Sequence, residues 1–152
     1  MKHIDIYTDG ACKGNPGPGG FCAILVFGKY EKTVKCGYFS TTNNRMELRA
    51  AIAGLEALKE PCDVTLYSDS RYLVESMDKN WVRTWQSHNW IKSDRKKALN
   101  VDLWEKLLLL DEIHDIKFVW VKGHDGHEYN ERCDKNAVEC AENPTEYDKE
   151  EK

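Results

Sequence analysis

Two short stretches of alternating residues end on aspartates of matching parity, and that match constrains the fold more than any other feature of the chain. In the first, Ile4 and Ile6 alternate with Asp5 and Tyr7 and exit through Asp9-Gly10, so residues 2–9 are expected to form a strand. In the second, Val64, Leu66 and Ser68 alternate with Thr65, Tyr67 and Asp69, which gives a further strand ending on Asp69. If these two strands are adjacent, parallel and in register, Asp9 and Asp69 meet on one face. Both acids then lie just beyond the carboxyl ends of strands, where ligands of open α/β sheets gather.

The turn cluster Asn15-Pro16-Gly17-Pro18-Gly19-Gly20 separates the first strand from two more, residues 21–27 and 33–39, which suggests an antiparallel meander. Residues 44–59 carry Leu48, Ile52 and Leu55 at helical spacing among alanines until Pro61 stops them. A short helix is expected over 71–78, and another with a protruding loop over 80–99. A longer helix runs through Val101, Leu103, Trp104, Leu107 and Leu108, followed by a fifth strand at 116–121 and a final helix at 128–141. The acidic stretch 142–152 is expected to be a disordered tail, leaving one domain over residues 1–141.

Hydrophobic residues at 41% and charged residues at 32% are ordinary for a soluble protein, and no apolar run reaches the roughly 18 residues of a membrane span. The amino-terminal residues lack an apolar signal core, so a cytoplasmic location is the default expectation. Six scattered cysteines form no Cys-x-x-Cys pair and are read as reduced, mostly buried thiols. A net charge of −4 argues against nonspecific DNA binding over a broad basic face, which directs attention to local charge.

Asp9, Glu47, Asp69 and Asp134 each have an innocent explanation. Asp9-Gly10 is a common turn dipeptide, Glu47 stands three residues after Asn44 as in a capping box, Asp69 and Ser70 suit a helix N-cap, and Asp134 fits a solvated helix face. Jointly they point elsewhere. Two on strand ends of equal parity and two on helices able to cover that edge suit hard divalent cations shared with substrate phosphates. His124, in the glycine-flanked loop Gly123-His124-Asp125-Gly126, has an imidazole suited to proton transfer near neutral pH. His124 and His127 lack a further N or S ligand spaced to complete a zinc site.

The segments Tyr7-Thr8-Asp9-Gly10-Ala11-Cys12-Lys13-Gly14-Asn15-Pro16-Gly17-Pro18-Gly19-Gly20, Thr41-Thr42-Asn43-Asn44-Arg45-Met46-Glu47-Leu48, Tyr67-Ser68-Asp69-Ser70, Asn100-Val101-Asp102-Leu103-Trp104, and Val121-Lys122-Gly123-His124 with Asn130-Glu131-Arg132-Cys133-Asp134 resemble bacterial type 1 ribonuclease H. The resemblance spans residues 3–141. It implies an α/β fold with a five-stranded mixed sheet, the first three strands antiparallel and the fourth and fifth parallel to the first, flanked by helices. It also implies a Mg2+-dependent endonuclease that cuts the RNA strand of RNA/DNA hybrids, leaving 5′-phosphate and 3′-hydroxyl ends. By resemblance Asp9, Glu47, Asp69 and Asp134 hold two Mg2+ ions, with Mn2+ as a substitute, and His124 assists proton transfer or product departure.

The resemblance further places Cys12, Asn15, Asn43 and Asn44 along a surface reading the RNA 2′-hydroxyls, and Thr42 and Asn100 on a DNA-strand phosphate. Asn100 also reads, more plainly, as the cap of its helix, and Thr42 as a cap of its own. Residues 79–97 resemble a basic hybrid-holding protrusion. Lys79, Arg83, Lys92, Arg95, Lys96 and Lys97 against Asp94 leave a net +5 there, interleaved with tryptophans. Trp81 is the expected DNA-contacting aromatic, with Trp104 and Trp120 assigned to the core. Arg71 stands where relatives often carry glutamine, so it is expected to touch substrate ionically. Ser40 replaces an arginine of some members, and Gln86, Ser87 and His88 a denser basic run, which together suggest a raised KM and a shallower salt dependence. The hybrid is the expected partner, with a monomer and no obligate protein partner implied. The rival readings are a hybrid-binding module without activity, and a nuclease of the integrase or resolvase type.

Overall fold

A computed structural model describes residues 1–123 and 127–150. Its strands β1 (His3–Cys12), β2 (Gly17–Phe27), β3 (Tyr30–Thr41), β4 (Asp63–Ser68) and β5 (Asp115–Trp120) form one sheet in the order β3-β2-β1-β4-β5. The first three are antiparallel neighbours, and β4 and β5 run parallel to β1, as expected. β1 and β4 pair in the register that the parity argument required, with Tyr7 opposite Tyr67. β2 begins inside the glycine-rich cluster, because Gly19 and Gly20 pair with Cys12 and Ala11 instead of serving only as turn residues.

Period-two alternation sorts the side chains of β1 between two layers. Ile4 and Ile6 join Leu48, Ile52 and Leu55 of α1 (Asn43–Glu56) and Leu103, Trp104 and Leu107 of α4 (Val101–Ile113) in the main core. Burying each such aliphatic side chain stabilises the fold by about 1.5–3 kcal/mol. On the opposite face Tyr7 packs with Cys22, Ile24, Cys133 and Ala137, the last two from α5 (Glu128–Glu142). α5 lies over β1, β2 and β3. Gly37 makes its close seating possible, since a Cβ there would collide with the Cys140 carbonyl. The remaining helices are α2 (Arg71–Asp78) and α3 (Trp81–Ser87). Among the described residues no helix is long and apolar enough to cross a membrane.

The expectation of a disordered tail from Glu142 is corrected for its described part. α5 runs to Glu142, and the chain then returns along β3: the N–H groups of Thr145 and Glu146 donate to the Gly37 carbonyl, and Phe39 N–H donates to Glu146 O. Asp148 ends buried against α1, where Arg45 and Arg49 supply the counter-charge that the acidic composition hid. Trp120 is the second correction. It is 39% exposed because it ends β5 beyond the reach of the core, whereas Trp104 is buried as assigned.

Candidate active site

β1 and β4 carry Asp9 and Asp69 to the same end of the sheet, and α1 brings Glu47 over them. Gly10 permits this approach, as a Cβ there would lie 2.7 Å from the Glu47 backbone nitrogen. The capping explanation for Glu47 does not hold. Thr42 is the N-cap of α1, its hydroxyl oxygen accepting from Arg45 N–H at 3.2 Å, so Glu47 lies beyond the capping positions. Likewise Ser70, rather than Asp69, caps α2 by accepting from Leu73 N–H.

One carboxylate oxygen each from Asp9, Glu47 and Asp69 lies within 4.8 Å of the others. Asp134, from the first half of α5, lines the same cleft beside Thr8, Lys122, Gly123 and Asn130. Burial, then the charges of Asp69 and Asp134, pushes the Asp9 carboxyl up to about 8, although Gly10 N–H donates to it at 2.9 Å. Burial, then Asp9 and Asp69, likewise raises Glu47 well above the ordinary glutamate range. Glu47 Oε1 and Asp69 Oδ1 are buried with no hydrogen-bond partner among the described residues. Buried oxygens of this kind are costly unless a cation completes them, and an all-oxygen donor set suits a hard divalent ion.

The structure gathers most of the expected substrate residues at the N-terminus of α1. Asn15, Thr42, Asn44 and Asn100 line one hollow. Asn15 Oδ1 accepts from Asn43 N–H at 3.2 Å, tying the β1–β2 turn to the helix start. The Cys12 thiol, half-buried, lies within donating reach of the carbonyls of Gly17 and Thr41. Asn100 begins α4 with φ 61° and no side-chain cap bond, so helix capping does not account for it.

Other expected residues lie apart from that hollow. Arg71 is exposed and stacks over Trp120 at 4.3 Å, while the Trp120 indole donates to the Asp69 carbonyl at 3.1 Å. Sequence reading missed this Trp120 link to an active-site acid. Its parity matches inward-facing Phe118, and only its place at the strand end turns it outward. Trp81 is exposed on α3 under the Lys79 ammonium, but Trp85 packs edge-on against Trp104. Arg83 pairs with Asp111 at 2.8 Å, so the effective charge of the protrusion is lower than its residue count suggests. His124 lies outside the described residues.

A profile for the family described as RNase H matches residues 1–142. The chain is 52% identical to a ribonuclease H of Desulforamulus reducens over 144 residues, 95% of this chain and 91% of that relative. It belongs to the ribonuclease H family. Ribonucleases H of Syntrophus aciditrophicus and Yersinia enterocolitica are 56% and 54% identical, over 93% and 95% of this chain and 82% and 93% of theirs. Among solved structures, LC9-RNase H1, a type 1 RNase H with the type 2 active-site motif, superposes with a TM-score of 0.84 at 30% identity, covering 95% of this chain and 74% of its own. LC11-RNase H1 in complex with an RNA/DNA hybrid shares the fold at 23% identity and a TM-score of 0.64, covering 92% and 97%. The mixed sheet and its helices are thus a ribonuclease H fold.

Proposed function

We propose that this chain hydrolyses the RNA strand of RNA/DNA hybrids, leaving 5′-phosphate and 3′-hydroxyl ends, with Asp9, Glu47, Asp69 and Asp134 as ligands for two Mg2+ ions. The observation that carries the reading is the convergence of Asp9, Glu47 and Asp69 within 4.8 Å, with oxygens of Glu47 and Asp69 left unpartnered. Cations held there would activate the attacking water and offset charge on the departing 3′ oxygen, with Mn2+ able to substitute. The chain's own acids fix the geometry. Their placement on two strand ends and two helices keeps the ligand set rigid as substrate enters. His124, between β5 and α5, is assigned to proton transfer or product departure.

Specificity for the hybrid is assigned to the surface beside this centre. Cys12, Asn15, Asn43 and Asn44 offer short polar groups and bare backbone to a wide, shallow minor groove, where only RNA presents a 2′-hydroxyl. The hollow at the α1 N-terminus suits a DNA phosphate, since the positive end of a helix dipole favours anions. Thr42 is free to donate its hydroxyl proton while its oxygen accepts from Arg45. Arg71 meets the RNA strand near Asp69, and Trp81 stacks on the DNA strand from the protrusion. The reading implies a monomeric cytoplasmic enzyme that clears hybrids left by replication or R-loops.

The test is incubation with a labelled RNA/DNA hybrid, an RNA duplex, a DNA duplex and single-stranded RNA, with Mg2+ or EDTA, alongside an Asp9→Asn variant. Cleavage of the hybrid's RNA strand alone, abolished by EDTA and by the substitution, is expected. Tight hybrid binding without cleavage would make the chain a binding module, and cutting of DNA duplexes would place it with integrase-like or resolvase-like nucleases.

A further inference from the structure

The hollow at the start of α1, about 500 Å³, has a wall that neither the motifs nor the family assignment accounts for: Asp148 and Glu150 of the returning C-terminal segment. Asp148 is buried and accepts from Arg45 Nε at 2.8 Å and Nη2 at 3.2 Å, from Arg49 Nε at 3.0 Å and Nη2 at 2.6 Å, and from the Thr41 hydroxyl at 2.5 Å. Arg45 also grips Asp102 with both terminal nitrogens, at 3.0 and 2.8 Å, and Nη1 donates to Asn100 Oδ1 at 3.2 Å. All five N–H groups of the Arg45 guanidinium are therefore engaged, so it does not serve as a free phosphate ligand.

What Arg45 does instead is orient Asn100. A guanidinium can only donate, so the atom of Asn100 that faces it must be the carbonyl oxygen. That fixes the amide flip. The Asn100 nitrogen, which donates to the Tyr72 hydroxyl at 3.1 Å, keeps one further N–H for a ligand in the hollow. Asp148 and Asp102 hold the guanidinium from two sides, and the Asp148 side arrives from the far end of the chain.

We propose that Asp148 is a positioning residue for binding a DNA-strand phosphate: through Arg45 it sets the orientation of Asn100, and the C-terminal segment forms part of the substrate pocket, with Glu150 at its rim. This inference rests on the proposed role of Thr42 and Asn100 as phosphate ligands. It gives the acidic segment a second purpose beside anchoring β3. An acid at the rim weakens phosphate binding, whereas the buried acid behind Arg45 strengthens it by ordering the donor.

The experiment is steady-state cleavage of hybrids in which successive DNA phosphates are replaced one at a time by neutral methylphosphonates, at a temperature where each variant is folded by circular dichroism. For the unsubstituted protein one position should raise KM by about tenfold with kcat retained. In Asp148→Asn, KM for the all-phosphate hybrid should rise about as much, and the penalty at that position should nearly vanish. A purely structural role would instead leave the position-specific penalty in place, and that result overturns the proposal. Glu150→Lys leaves the Arg45 network intact, and it should lower KM about threefold and steepen the salt dependence of binding by about one phosphate contact. Unchanged KM and salt slope in Glu150→Lys would also overturn it. If the unsubstituted protein shows no sensitive position at all, the phosphate reading itself fails and takes the positioning role with it.

Discussion

Residues 45 and 47, two positions apart on α1, sit in two buried charge clusters built on opposite principles. Around Glu47 the acids Asp9 and Asp69 crowd together, oxygens of Glu47 and Asp69 are left unpartnered, and burial raises the carboxyls of Asp9 and Glu47. Around Arg45 the acids Asp102 and Asp148 are saturated by guanidinium donors. Burial alone would raise the Asp148 carboxyl, but bonds from Arg45, Thr41 and Arg49 more than reverse this and hold it at about 2. One helix turn thus carries a bare cluster suited to a ligand and a closed cluster that ties the chain end to the fold. A buried charge cluster satisfied internally is costly to break, and one left open suits something that binds.

The contrast is broken most sharply by neutralising one acid in each cluster. Asp9→Asn should lower hybrid cleavage by about a thousandfold or more, because it removes a charged ligand from the centre. The same change should stabilise the metal-free chain by about 1–3 kcal/mol, read as a higher Tm in EDTA. The sign follows from the raised carboxyl. The folded chain keeps a proton on Asp9 up to about pH 8 that the unfolded chain sheds near pH 4, so metal-free stability falls as pH rises through that window. Asp9→Asn should flatten this slope.

Asp148→Asn should do the opposite. Leaving Arg49 without its carboxylate partner and Arg45 with Asp102 alone should cost about 3 kcal/mol, seen as a lower urea midpoint at unchanged m-value. A smaller effect is expected from pH alone. Asp148 is depressed in the folded chain, so its contribution, about 2 kcal/mol, is complete above roughly pH 4 and is lost as pH falls towards 2. Acid unfolding of the unsubstituted protein should show this loss and Asp148→Asn should lack it. The smallest effect is expected at the exposed protrusion: Trp81→Ala should raise KM about threefold to tenfold without moving Tm, because a base stack is lost and no core contact is.

The open cluster was legible in the sequence and the closed one was not. Asp9 and Asp69 announced themselves because period-two alternation is local and matched strand ends imply a shared edge. Glu47 and Asp134 were legible only jointly with that pair, as acids on helices able to cover the same edge, and motif resemblance then supported them, since their bland alternatives, a capping box and a solvated helix face, are equally compatible with spacing alone. Asp148 left no such trace. It lies in an acidic run whose composition suggests disorder, and its partners Arg45 and Arg49 are about a hundred residues away, so only tertiary pairing distinguishes it. Trp120 was misplaced because alternation sets which face a side chain takes, not whether the layer above still covers it.

The division between an open and a closed cluster is tested by calorimetric titration of Mg2+ into the unsubstituted protein, Asp9→Asn and Asp148→Asn below the Tm of each. Binding should be abolished in Asp9→Asn and retained in Asp148→Asn, since only the open cluster is a cation site. Binding that survives Asp9→Asn, or that is lost equally in both variants, would contradict it.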